Sequence, residues 1–172
     1  MNAIRTTRSS HGFSLVEVLV TLLVLSIGLL GIDKLLLVSS RANDSAYLRT
    51  QATSLAYSIL DAMRSNRPTA ASGGYTVTSS ASITNPGVAC SLASPCGGAT
   101  QAEYDLWQWK NALSTGLGPS GAGTITTSNV TDPITGATDV TATITVTWND
   151  SVAQQTFGAG TGTVSITLET ML

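Results

Sequence analysis

Histidine is almost missing from this chain: there is one in 172 residues, His11. Beyond that point the Ser–His and Cys–His nucleophile arrangements have no histidine base to use. Charge is scarce too, at 10% of residues, and nearly balanced at a formal net charge of −2. That argues against nucleic acid as a partner, which would call for a basic face. Cysteine occurs twice, at Cys90 and Cys96. C-x5-C is the wrong spacing for a common zinc knuckle, and no second pair or nearby histidine completes a site. No metal and no cofactor is expected. Proline is absent before Pro68, so nothing of that kind breaks the N-terminal third. Low charge does not mean disorder here, because 42% of the residues are hydrophobic.

What the chain does have is gathered first at its N-terminus. MNAIRTTRSSHG is polar and basic through Arg5 and Arg8. The stretch from Phe13 to Ile32 is apolar, with one ionisable residue, Glu17. About 20 such residues at about 1.5 Å each cover a hydrocarbon core of about 30 Å. Arg5 and Arg8 predict a cytoplasmic N-terminus and an exported body. A secretory signal peptide fits poorly, since its apolar region is shorter and ends in small residues. Any cut is expected before the apolar span. A charge at mid-span costs roughly 2.5–3.5 kcal/mol, less near an interface, and a carboxylate suits the first turn of a helix. Glu17 therefore reads in two ways. It reaches back to water at the membrane edge, or it meets a cation from another chain or a new amino terminus.

The run Gly12-Phe13-Ser14-Leu15-Val16-Glu17, between a short basic leader and an apolar helix, resembles the type IV prepilin family. The resemblance implies cleavage between Gly12 and Phe13 by a membrane aspartyl peptidase and N-methylation of Phe13. It also implies that Glu17 pairs with the terminal amine of a neighbouring subunit in a filament. Such a pair is strong in a low-dielectric bundle and penalised when either charge is left alone.

Leu48, Ala52, Leu55, Ile59 and Met63 recur at helical spacing, with Ala56 and Leu60 beside them. The expectation is one helix from about Phe13 to about Arg64, about 75–80 Å long, stopped by Pro68 and Gly73-Gly74. Gly28 and Gly31 permit either close helix packing or a weak point in the helix. The kinking proline common in major pilins is missing. SIGLLG, SAYLRTQAT, LAYSILDAMRSNR and DLWQW resemble the PilV-type minor pilins, or type IV pilus modification proteins.

Residues 68–172 read as a β-rich head. Short strands are expected at 75–79 and 81–84. A short amphipathic helix over 102–113 carries Ala102, Leu106, Trp109 and Leu113 on one face, so Trp107 and Trp109 cannot both face the core. Residues 116–123 read as a loop without the Lys-Ser/Thr ending of a phosphate loop. Val140, Ala142, Ile144, Val146 and Trp148 alternate strictly with polar residues, as do Val164, Ile166 and Leu168. These give an antiparallel pair with 139–148 central. Asp132 and Asp139 read as a turn rather than a calcium loop. An exported location favours a Cys90–Cys96 disulfide, worth roughly 2–2.5 kcal/mol on the chain-entropy model.

The expected architecture is α+β: a long N-terminal transmembrane and amphipathic helix packed on an antiparallel sheet, as in type IV pilins. The organisation is a cleaved leader over 1–12, a helix over 13–67 with its anchor over 13–32, and a periplasmic head over 68–172. The resemblance implies a non-enzymatic minor pilin that acts in pilus assembly and initiation and in tip-associated adhesion. Its partners would be the major pilin, other minor pilins, the prepilin peptidase, the inner-membrane assembly platform and a tip adhesin. The chain would sit in the inner membrane before assembly, and in the periplasm and pilus afterwards. Two alternatives are a pseudopilin of a type II secretion system and a membrane-tethered binding module that keeps its leader.

Overall fold

The computed structural model describes residues 12–87, 90–91, 93–131, 134, 136, 138–150 and 162–172. His11 and Asp132 lie outside the described residues. The chain divides into two compact units, Met1–Ser40 and Arg41–Leu172. One helix, α1 (Leu15–Ser65), runs through the boundary for 51 residues without a break.

In the first unit, the apolar side chains of α1 are largely exposed among the described residues. Leu15, Leu23, Leu30 and Leu36 are all exposed. Two hydroxyls within the apolar stretch bond back onto their own helix, Thr21 Oγ1 donating to Val18 O at 2.8 Å and Ser26 Oγ to Leu22 O at 2.7 Å. This unit holds the helix of the described residues that is long and apolar enough to cross a membrane.

In the second unit the periodicity of the sequence becomes a core. Ala52, Ala56, Ile59, Leu60 and Met63 of α1 are buried, with Leu48 and Leu55 at the margin. A short helix α2 (Arg67–Ala71) follows at once, with Pro68 in its first turn. Pro68 thus starts a helix instead of ending the chain's helical run, because proline is tolerated where no intrahelical N–H is needed. The turn comes later, at Gly73, where φ is +85°. Helix α3 (Gly98–Gly116) buries Ala102, Leu106, Trp109 and Leu113 and extends the expected helix at both ends. Trp109 is buried and Trp107 is half-buried, as their spacing requires.

The sheet has three antiparallel strands in the order β1 (Ala122–Thr131), β2 (Thr138–Asn149) and β3 (Thr163–Met171). Ile125 faces Ile144, which faces Leu168, and Val146 faces Ile166. Ala142, Ile144, Val146 and Trp148 are buried in the core, and their alternation made β2 legible. Together α1 and the sheet form the α+β architecture expected.

Two strand assignments need correction. Residues 75–79 and 81–84 are not strands of the sheet. Val77 makes a single bridge to Ile125, through bonds of 3.0 and 2.9 Å. Just beyond it, Lys110 Nζ donates to the carbonyls of Thr78 at 2.8 Å and Ser79 at 3.0 Å, so a side chain takes the acceptors a ladder would need. The missing strand is β1, whose first residues fall in the expected loop. Ile125 is its single large apolar residue facing the core; Gly123 and Thr127 share that face, so alternation hardly shows.

Candidate functional site

The residues singled out by sequence fall into two places. Gly12, Phe13 and Glu17 open α1, whereas Cys90 and Cys96 belong to the second unit.

Ser14 occupies the N-cap of α1. Its carbonyl accepts the N–H of Glu17 at 3.0 Å and of Val18 at 3.2 Å. Its hydroxyl accepts the N–H of Val16 at 3.3 Å. These bonds satisfy donors that the first turn of a helix otherwise leaves open. Ser14 and Glu17 stand at the N-cap and third helical positions, the spacing of a capping box. Glu17 is exposed in the first turn, beside the positive end of the helix dipole. Phe13 is 85% exposed. A Cβ added to Gly12 would meet nothing within 4 Å, so the chain's own packing makes no demand for glycine there. The same holds for Gly28 and Gly31.

Cys90 and Cys96 are joined, with an S–S distance of 2.07 Å and Cα atoms 5.4 Å apart. The loop they close runs into the N-cap of α3 at Gly97. A second tie fixes the same end of α3. Tyr75 donates its hydroxyl hydrogen to Asp105 Oδ2 at 2.6 Å, and Gln101 Nε2 donates to Asp105 Oδ1 at 2.6 Å. Asn66 Nδ2 donates to the Tyr75 oxygen at 3.3 Å and to the Gly98 carbonyl at 2.7 Å. Burial, then the hydrogen bond to the Asp105 carboxylate, pushes the Tyr75 phenol well above its ordinary value. Burial lowers the Lys110 ammonium. This network locks the α1–α2 corner to α3 and is a structural device. Sequence reasoning missed it because Tyr75, Asn66 and Asp105 are far apart along the chain and match no spacing rule.

Two further polar ties anchor α1 to the rest of its unit. Trp109 Nε1 donates to Leu55 O at 2.9 Å. Ser45 Oγ donates to Asp150 Oδ2, a carboxylate buried at the end of β2. Among the described residues no three His, Cys, Asp or Glu side chains gather as a metal site would need.

Residues 7–32 match the prokaryotic N-terminal methylation motif. No curated protein and no solved structure matches the chain. The matched segment contains Gly12, Phe13, Glu17 and most of the exposed apolar helix. It supports a type IV pilin-like or pseudopilin-like protein, anchored in a membrane by a prepilin-type N-terminus.

Proposed function

We propose that this chain is a minor pilin of a type IV pilus, a structural subunit without catalysis. Residues 1–12 are a leader removed by prepilin peptidase, residues 13–67 form the helix that anchors and then packs the subunit, and residues 68–172 form the exported head. The observation that carries the reading is the joint one at the start of α1. The methylation motif, an open Gly12 and a first-turn Glu17 stand at the head of a helix whose apolar side chains are exposed among the described residues.

The mechanism follows from charge and burial. A helix of this kind is stable in lipid or against other helices like itself. Cleavage after Gly12 leaves a positive amine at Phe13, one residue ahead of the Ser14 cap. A positive charge at the positive end of a helix is unfavourable. Glu17 offsets it, and in a bundle of such helices a Glu17 carboxylate meets the Phe13 amine of the next subunit. The pairing favours one axial register, since either charge left alone in the bundle is strongly penalised. The head then supplies the contacts to the major pilin and other minor pilins. Wording such as LAYSILDAMRSNR supports the PilV type, with a role in assembly and initiation and in tip-associated adhesion.

Intact mass of the protein from membranes of a host with active prepilin peptidase tests this reading. The expected mass is that of residues 13–172 plus one methyl group, less two hydrogens for the disulfide. A mass that retains residues 1–12 overturns it in favour of a tethered module. Recovery of the processed chain in a type II secretion pseudopilus, and not in sheared pili, would reassign it as a pseudopilin.

A further inference from the structure

Helix α3 has a second face besides the one it buries. Trp107, Lys110, Asn111 and Ser114 stand at positions i, i+3, i+4 and i+7, which puts them on one side of the helix. With residues 81–83 they line a cavity of about 230 Å³. Lys110 holds the two walls together. Its Nζ donates to Thr78 O at 2.8 Å and to Ser79 O at 3.0 Å, just ahead of the opposite wall.

Two properties of these walls go beyond support. The first is charge. Both Lys110 bonds end on neutral carbonyl oxygens, and an ammonium has three hydrogens to donate. No carboxylate pairs with it among the described residues. Outside them the chain has a single acidic side chain, Asp132. Glu103 shares this side of α3 but stands about 10 Å further back along the axis, and Asp105 is taken by Tyr75 and Gln101. Burial lowers the proton affinity of Lys110 with no anion to offset it. The second property is an open aromatic surface. Trp107 is half-buried where Trp109 is buried, and the Tyr104 ring braces it at a centroid distance of 5.9 Å. Beside it, the Ser82 hydroxyl and the Asn111 amide form no hydrogen bond among the described residues. Ser114 donates to Asn111 O at 2.9 Å and keeps its acceptor lone pairs.

The geometry points to a binding site for an acidic sugar: one pyranose ring lies on the Trp107 indole, its carboxylate meets the Lys110 ammonium, and its hydroxyls bond to Ser82, Asn111 and Ser114. A sugar ring has a face of C–H groups and a rim of hydroxyls. An indole beside neutral polar side chains complements both. The carboxylate adds a charge-assisted bond to a cation that has no other anion. The cavity has room for one ring, so the ligand is a terminal or branch residue of a glycan. Such a site gives the adhesion proposed above a ligand class and rests on that reading for its purpose. Sugar binding depends neither on leader removal nor on entry into a pilus, so each can fail without the other.

The test uses the full chain in detergent micelles and ligand-observed saturation-transfer NMR. The probes are methyl glucuronide, methyl glucoside and a short peptide with a free C-terminal carboxylate. Wild type is expected to bind the glucuronide saturably and about tenfold more tightly than the glucoside. Lys110→Gln should erase that preference, but Lys110 also holds residues 78–79. Asn111→Asp is therefore the deciding variant. It keeps both Lys110 bonds and sets a negative charge in the wall, so the glucoside still binds while the preference for the glucuronide is lost. An unchanged melting temperature shows that its fold is kept. Trp107→Leu should lose both sugars. No saturable binding of the glucuronide by wild type, equal affinity for the two sugars, or a wild-type preference in Asn111→Asp overturns the inference. Tighter binding of the peptide than of the glucuronide also overturns it, and makes the cavity a site for a chain terminus.

Discussion

Glu17 is the residue on which the N-terminal unit turns. It fills the third position of a helix capped by Ser14, so the carboxylate is at home at the positive end of that helix even in a single subunit. Glu17→Ala is therefore expected to leave insertion and leader removal largely intact while incorporation into pili falls. Immunoblots of sheared pili against total membrane check this, and a normal count of incorporated subunits refutes the pairing. Glu17 was legible because it interrupts an otherwise apolar stretch. Tyr75 was not, since its partners Asn66 and Asp105 come from separate parts of the chain. Its raised phenol sets a pH dependence. The folded chain holds that proton above the pH, about 10, at which the unfolded chain gives it up. The stabilisation is present below about pH 10 and is lost as pH rises toward the folded value, at up to about 1.4 kcal/mol per pH unit. Tyr75→Phe removes a donor to Asp105 and should cost about 1–3 kcal/mol at neutral pH. The gap between the two proteins in denaturant titrations should narrow above pH 10.

At the scale of elements, clean periodicity was readable and deficient periodicity was not. β2 and the buried face of α3 announce themselves through apolar residues at periods of two and of three to four. β1 does not, because glycine occupies a core-facing position for a packing reason the sequence cannot display. A Cβ on Gly123 would collide with the Trp109 ring and lie 2.8 Å from Leu113 Cδ1. Gly123→Ala therefore forces the indole out of place and should destabilise the head by about 1–3 kcal/mol, read as a lower melting temperature. The Cys90–Cys96 loop leads into the same helix from the other end. Its closure limits the unfolded chain more than it shapes the folded one. Cys90→Ser/Cys96→Ser is expected to cost about 2–2.5 kcal/mol with the fold retained, by circular dichroism and denaturant midpoint.

For the molecule as a whole, the two units have opposite relations to water. The first exposes an apolar surface far beyond what a soluble protein leaves open. The second buries its apolar residues and shows solvent a lattice of hydroxyls, such as Thr145 beside Thr167 at 3.2 Å. The chain should consequently fractionate with membranes and stay there through high-salt washing, leaving only with detergent. Release by salt alone would contradict an anchor formed by α1.

The Trp109 bond to α1 also makes the head observable. The indole N–H is shielded from water and ends on the Leu55 carbonyl, to which Ser58 donates as well at 2.8 Å. That proton exchanges with solvent when α3 parts from α1, and hardly otherwise. Trp107 lies half open, whereas the Nε1 of Trp148 is buried without a partner among the described residues, so a Trp109→Phe variant identifies which slow indole resonance belongs to Trp109. That Trp109 resonance in heavy water is a clock for the opening of the head, and it would keep time in a micelle, a membrane or a filament alike.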